Sequence, residues 1–231
     1  MAGPGVRQFC QTGGMDPGLR RLLTAAAEPG RPAAVVLVEG ASDRAALTTV
    51  ARRQGHDLAA DGIRVAEMGG ATNLGHFLEV LGPAGLGVPL AGLCDAAEAP
   101  VFLRALDRSG LAPGLTLAGL PRAGFFVCHA DLEDELIRAL GPARVQDVIE
   151  AQGELRSLRR FQDQPAQRNR ELTAQLRRFL GTRSGRKAKY ARLLAEAVEL
   201  ALMPAPLVGV LGYARRAATP AEAARPARPE P

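Results

Sequence analysis

The chain has 231 residues and a formal net charge of +5, so it can bury a substantial core and is compatible with an anionic partner. Its three cysteines, Cys10, Cys94 and Cys128, are odd in number and far apart, which favours buried thiols in a reducing compartment over disulfides or a zinc site. No apolar segment approaches the length of a membrane span and the first residues do not resemble a signal peptide, so we expect a cytoplasmic protein without membrane contact.

Residues 1–31 form the first predicted unit, a leader with one short helix. Asp16-Pro17 has the form of a helix N-cap followed by proline at the first helical position. Pro29-Gly30 is expected to end this helix.

The first predicted strand is the apolar run Val35-Val36-Leu37-Val38, which is typical of a strand buried on both faces. Glu39 ends the run, and Gly40 is expected to let the backbone turn sharply. Ser42 is the predicted N-cap of the next helix, which places Asp43 on its first turn. Two acids held together there repel each other unless a cation or a shared proton intervenes.

The alternation of strand and helix continues to residue 141. Residues 62–68, 88–94 and 124–128 are predicted strands, and the stretches after them carry apolar residues at helical spacing. The second strand stops at Gly69-Gly70. This order predicts an α/β domain over residues 32–141, with a mostly parallel sheet covered by helices on both faces.

Acidic residues recur where the predicted strands end. Glu39 follows the first strand, Asp95 follows the third, and Asp131 and Glu133 lie just past the fourth. The carboxyl ends of parallel strands share one edge of a sheet, so these residues predict a hard-cation site with oxygen ligands. For any single residue the alternative is a solvated acidic turn, because turns favour Asp.

Residues 142–213 are predicted to be a smaller, basic helical region. Twelve Arg or Lys lie between residues 156 and 192, against Asp163 and Glu171. These charges predict a surface that follows a phosphate backbone, or alternatively a set of solvated helix faces. The candidate nucleic-acid-binding residues are Arg177, Arg178, Arg183, Arg186 and Lys189.

The last predicted helix spans residues 188–202, and Pro204 and Pro206 are expected to end it. Residues 214–231 are predicted to be a disordered tail, because they become rich in Ala, Pro, Glu and Arg without an apolar face.

The motif Val-Glu-Gly-x-Ser-Asp after the first strand, the Gly-Gly after the second and the Asp after the third resemble a Toprim domain. The Asp131-Leu132-Glu133 segment and the pair Lys187 and Ala191 are similar to the OLD (overcoming lysogenization defect) branch of Toprim nucleases. This resemblance implies a Toprim-like fold and Mg²⁺- or Mn²⁺-dependent phosphodiester cleavage of DNA. It also assigns roles to individual residues: Glu39, Asp43 and Asp95 as catalytic and metal-binding acids, Lys187 as a cation near the scissile phosphate, and Gly40, Gly69 and Gly70 as turn glycines.

The chain departs from the family pattern at one position of the acidic motif. Toprim domains usually carry Asp-x-Asp after the third strand, where this chain has Asp95-Ala96-Ala97. Glu98 lies one position further and would point about 100° away from position 97 if the segment were α-helical. Glu98 and Glu133 are both candidate metal ligands. Glu133 is preferred, because the start of its helix is expected beside the end of the third strand and a helix N-terminus favours anions. Weak activity with a preference for Mn²⁺ is expected.

A second departure concerns ATP. Full-length OLD nucleases carry an ATPase domain, and this sequence contains no Gly-x-x-x-x-Gly-Lys-Ser/Thr phosphate loop. Two alternatives to an independent nuclease therefore stay open: a Toprim module that binds nucleic acid or a nucleotide without turnover, and a nuclease subunit that acts with a separate ATPase. The oligomeric state stays open as well.

Overall fold

A computed structural model describes residues 31–182 and 185–219 of the protein. The predicted leader helix, Cys10, Arg183 and the chain beyond residue 219 lie outside the described residues.

The centre of the fold is a four-stranded parallel sheet in the order β2-β1-β3-β4. Val36 of β1 pairs with Val65 of β2 on one side and with Ala91 of β3 on the other. Because every strand runs in the same direction, their carboxyl ends lie at one edge of the sheet. The strands are β1 (Ala34–Val38), β2 (Ile63–Glu67), β3 (Leu90–Cys94) and β4 (Phe125–Val127).

The sheet is covered on both faces, as the uninterrupted apolar run of β1 predicts. Val36 and Val38 join one core, whereas Val35 and Leu37 join the other. Helices α1 (Ala41–Arg53) and α4 (Leu132–Leu140) contribute to the first core, and α2 (Leu74–Leu81) and α3 (Ala99–Arg108) contribute to the second. The expected α/β architecture is confirmed, and Cys94 and Cys128 are buried thiols.

The basic helical region packs onto the face of the sheet that carries α1 and α4. Leu176, Tyr190 and Leu211 lie in the same continuous core as Val36. The region and the sheet therefore share one core. The helices of this region are α5 (Pro142–Ala151), α6 (Leu155–Gln162), α7 (Pro165–Arg168), α8 (Leu172–Leu180), α9 (Arg186–Ala197) and α10 (Ala205–Ala218). None of the helices in the described ranges is both long and apolar enough to span a membrane.

Three predicted helix boundaries are wrong. The N-cap of α1 is Gly40 rather than Ser42, because the Asp43 carboxylate accepts the Gly40 N–H at 3.0 Å and starts the helix earlier. Helix α9 ends at Ala197, and Pro204 is the N-cap of a further helix. Proline in the first turn of a helix removes no hydrogen bond that the helix needs, so it can begin α10 as well as end α9. Helix α10 extends to Ala218, so residues 214–218 do not belong to a disordered tail.

Candidate metal centre

Three carboxylates meet at the carboxyl edge of the sheet. Glu39 follows β1, and Asp95 and Glu98 follow β3. One oxygen atom from each of them lies within 4.8 Å of the other two. This spacing and this donor type suit a divalent cation with oxygen ligands.

Glu98 reaches this cluster because residues Ala96–Glu98 form a 3-10 turn. The Glu98 N–H donates to the Asp95 carbonyl at 3.0 Å, and side chains three residues apart eclipse each other in such a turn. The orientation that an α-helix would give Glu98 is therefore wrong, and this candidate ligand lies with Glu39 and Asp95. Ala97, at the position where Toprim domains usually carry an acid, is exposed.

Asp43 approaches the cluster from the first turn of α1. Burial raises the pKa of Asp43 to about 6, and the nearby charges of Glu133 and Glu39 act in the same direction. The hydrogen bond from Gly40 and the charge of Lys187 oppose this rise. Without a bound cation, the Asp43 carboxyl group therefore retains its proton to a higher pH than an ordinary aspartate does.

The pKa of Asp95 is also raised, to about 7, by burial and then by the negative charges of Asp131 and Asp43. Burial raises the pKa of Glu98, and the charge of Glu39 adds to this effect. Acidic groups whose pKa values rise together are groups whose mutual repulsion a bound cation would relieve.

Glu133 and Lys187 form an ion pair beside this cluster. Lys187 Nζ, on the first turn of α9, lies 3.1 Å from Glu133 Oε2. The Glu133 side chain is only 2% exposed, whereas that of Lys187 is 52% exposed. Burial raises the pKa of Glu133 although Lys187 opposes it. Burial alone would lower the pKa of Lys187, but the negative charges of Glu133 and then Asp131 outweigh burial and raise this pKa. The Lys187 side chain is therefore positively charged next to the acidic cluster.

The donor atoms fit a hard divalent cation such as Mg²⁺ or Mn²⁺. Among the described residues, Glu98 Oε2 and Glu133 Oε1 are buried and have no hydrogen-bond partner. Buried carboxylate oxygens without a donor are costly unless a cation or a proton neutralises them. Glu39, Asp95 and Glu98 could hold the ion, with Asp43 and Glu133 beside them.

The turn glycines differ in what they contribute. Gly69 and Gly70 have φ values of 70° and 130°, which L-residues with side chains rarely adopt. The Gly69 N–H donates to the Glu39 carbonyl at 3.0 Å and so fixes the backbone of the first acid. The chain bends at Glu39 and Gly40 as expected, but Gly40 has an extended φ of −161°, which any residue can adopt, so this bend does not require a glycine.

A groove of about 490 Å³, which we call the basic groove, begins at this ion pair. Arg177 in its wall is paired with Asp131, the N-cap of α4. Arg170 and Arg178 are exposed. Arg170 is not among the candidate nucleic-acid-binding residues, because nothing in the local sequence distinguishes it from the other basic residues of this region. The lining comprises Asp131, Glu133, Phe161, Gln167, Arg170, Ala174, Arg177, Arg178, Gly181, Thr182 and Lys187.

Two residues of the predicted nucleic-acid surface are engaged elsewhere. Arg186 is 6% exposed, stacks on Phe179 with its guanidinium 4.2 Å from the ring centroid, and contacts Glu154 Oε2 at 2.6 Å. Lys189 Nζ lies 3.1 Å from the other oxygen of Glu154. A buried, paired guanidinium cannot serve as a surface contact, so the prediction for Arg186 is wrong. The prediction for Arg183 lies outside the described residues.

Comparison with known proteins gives one family match and several similar solved structures. Residues 33–96 match the family model for the Toprim domain of overcoming lysogenization defect protein-like proteins. The chain is similar to the solved C-terminal region of the Burkholderia pseudomallei OLD protein, with 25% identity and a TM-score of 0.62, over 81% of this chain and 99% of that one. For the same region of the Xanthomonas campestris pv. campestris OLD protein the values are 27%, 0.61, 80% and 96%. Comparison with curated proteins gives no significant match.

Proposed function

We propose that this chain, whose residues 33–96 match the Toprim domain of OLD-like proteins, hydrolyses phosphodiester bonds in DNA with the help of a divalent cation. One observation carries the proposal: the carboxylates of Glu39, Asp95 and Glu98 converge beside a groove lined by arginines. Acids that hold a cation and bases that hold a phosphate backbone are both needed for this reaction.

The acids would hold Mg²⁺ or Mn²⁺ at the edge of the sheet. A bound divalent ion supplies a nucleophile at neutral pH by lowering the pKa of water, and it stabilises negative charge on the leaving oxygen. Asp95, with a pKa raised to about 7, must lose its proton to become a ligand, so cation binding is favoured at higher pH.

Lys187 and the arginines would position the substrate. Lys187 Nζ is held by Glu133 at 3.1 Å and remains about half exposed, so it can contact a phosphate oxygen next to the acids. Arg170 and Arg178 lie along the same groove and are exposed to a strand that passes through it. Cations spaced along a groove orient a polyanion without reading its sequence.

The test is nicking of supercoiled plasmid DNA in Mg²⁺ or Mn²⁺. The wild type should convert supercoiled to open-circular DNA, and Asp95→Asn should reduce this reaction to the level seen with EDTA. Glu150→Gln is the matched control, because Glu150 is exposed on α5 and lies outside the acidic cluster. A wild type that leaves the plasmid intact in both metals would exclude the hydrolase.

One observation favours a second candidate, a module that binds nucleic acid or a nucleotide without turnover. An alanine stands where Toprim domains usually carry their second acid, so fewer carboxylates are available to hold a second ion. This candidate predicts salt-dependent DNA binding that resists metal removal and is never followed by cleavage. A nuclease subunit that works with a separate ATPase would instead nick only when the ATPase and ATP are added.

A further inference from the structure

The basic groove contains a polar side chain that phosphate binding does not use. Gln167 is 5% exposed, and its amide oxygen is buried with no hydrogen-bond partner among the described residues. The residue belongs to α7 and lines the groove together with Glu133 and Lys187. A buried amide oxygen without a partner is rare in folded proteins, because its loss of water is not compensated.

The backbone of Gln167 is held in place by two other glutamines. Gln175 Nε2 donates to the Gln167 carbonyl at 2.9 Å, and Gln162 Nε2 donates to Gln175 Oε1 at 2.8 Å. This chain of hydrogen bonds fixes the backbone of Gln167 but leaves its own amide oxygen unused. The backbone of Gln167 is therefore held in place, while its amide oxygen can still accept a hydrogen bond from a ligand.

An aromatic ring lines the same groove. Phe161 of α6 is half-buried, and its ring centroid lies 5.8 Å from that of Phe179, with an angle of 58° between the ring planes. This contact with a fully buried ring fixes one side of Phe161, while the residue still lines the groove. An aromatic face and an amide that both donates and accepts suit a nucleobase, which has a π-face and an edge with donors and acceptors.

We propose that the basic groove contains a nucleobase subsite, in which Gln167 hydrogen-bonds the edge of one unpaired base and Phe161 packs against that base. A volume of about 490 Å³ is within the range of small-ligand pockets and is far too small for a duplex. The base must therefore be single-stranded or extruded from the helix.

The subsite rests on the proposed function and narrows its substrate class. Lys187 and Glu133 lie in the lining of the same groove, so a strand whose phosphate contacts Lys187 can place a neighbouring base against Gln167. The substrate is then DNA with at least one unpaired nucleotide beside the cut, such as an overhang, a gap or a melted end.

The test compares two oligonucleotides of equal length in EDTA, a single strand of thymidines and a strand of abasic sites with the same phosphates. The wild type should bind the base-bearing strand about tenfold more tightly, the scale expected for stacking of one base. Gln167→Met removes the amide while keeping a similar length, and Phe161→Leu removes the aromatic face. Each variant should lose most of the preference for bases while retaining affinity for the abasic strand.

Gln164→Met is the matched control, because Gln164 is an exposed glutamine three residues earlier and does not line the groove. It should keep the preference. Gln167→Met should melt at or above the wild-type temperature, because an apolar atom replaces a buried oxygen without a partner. A glutamine with only a structural role would give a lower melting temperature and an unchanged preference, which would overturn the proposal.

The outcomes separate the subsite from the hydrolase. If the wild type binds both strands equally, the subsite is overturned even when the plasmid is nicked. If the wild type prefers bases and both groove variants lose this preference, the subsite stands even when the plasmid stays intact in every metal.

Discussion

Asp95 and Glu98 converge only because the backbone between them forms a 3-10 turn. Three residues rotate a side chain by about 360° in a 3-10 helix and by about 300° in an α-helix, so Glu98 would miss the cluster by about 60° if the turn were α-helical. The carboxylates instead lie within 4.8 Å of each other. Ala97 is exposed between them, and Glu98 is the residue after Asp95 that adds a carboxylate to the cluster.

This geometry makes opposite predictions for the two neighbouring positions. Glu98→Gln should weaken Mn²⁺ binding by about tenfold or more, because one charged oxygen ligand is lost. Ala97→Asp should change the affinity little, because position 97 faces solvent. Isothermal titration with Mn²⁺ measures both effects, with Glu150→Gln as the control. Tighter binding by Ala97→Asp, with no loss in Glu98→Gln, would show that the turn adopts another geometry in the metal-bound protein.

The positions of three of the acids are predictable from the sequence, whereas for the fourth, Glu98, the sequence gives a candidate without its orientation. Glu39 and Asp95 follow apolar strands directly, and Asp43 follows a short turn, so the parallel sheet alone brings them together. Glu98 depends on the choice between two helical forms over three residues, which Ala-Ala-Glu does not determine. Gln167 carries no local signal at all, since only tertiary packing makes its amide oxygen buried and unpaired.

At the scale of elements, helix α9 divides its basic residues between the interior and the site. Arg186 is buried against Glu154 and Phe179, while its neighbour Lys187 points to Glu133. Adjacent residues on an α-helix point about 100° apart, so two neighbouring basic residues can face different parts of the protein. From the sequence, both residues are only members of a basic run, so the sequence predicts Arg186 at the surface.

Arg186 and Arg178 should therefore respond differently to the same change. Arg186→Gln should lower the free energy of unfolding by about 2 kcal/mol, because a buried guanidinium loses its carboxylate partner and its stacking on Phe179. Arg178→Gln should leave this free energy unchanged and reduce the log–log salt slope of DNA binding by about one unit. Urea melts and binding titrations over a range of salt measure these effects. If Arg186→Gln is as stable as the wild type and reduces the salt slope, Arg186 contacts DNA and the structural role is wrong.

At the scale of the whole molecule, the C-terminal helices complete the sheet. The alternating strands and helices predict the α/β sheet from the sequence, but they do not indicate which helix covers which face. Helices α2 and α3 cover one face, whereas the other needs α9 and α10 in addition to α1 and α4. This assignment depends on contacts between distant parts of the chain, such as Val36 with the core of Tyr190 and Leu211, and no local pattern encodes it.

The same packing places Lys187 beside the acids and buries several carboxylates. Because the protonation of these carboxylates affects both folding and cation binding, stability and cation binding both depend on pH. Burial raises the pKa of Asp43 to about 6 and that of Asp95 to about 7, and it also raises the pKa values of Glu98 and Glu133. An acid with a raised pKa binds its proton more tightly in the folded state than in the unfolded state. Its contribution to stability is therefore complete below the unfolded pKa and is lost as the pH rises through the folded pKa.

In EDTA, we expect the melting temperature to fall as the pH rises from about 4 to about 7. The steepest part should lie between the unfolded pKa of 3.8 and the folded values of about 6 for Asp43 and about 7 for Asp95, where the folded state holds protons that the unfolded state has lost. A divalent cation replaces these protons, so the stabilisation by Mn²⁺ should grow over the same range. Thermal melts in EDTA and in Mn²⁺ at a series of pH values measure both trends. Asp95→Asn should flatten each of them, because its amide neither titrates nor supplies a charged ligand, whereas Glu150→Gln should leave both unchanged. A stabilisation by Mn²⁺ that does not vary with pH would mean that the cation binds away from these acids.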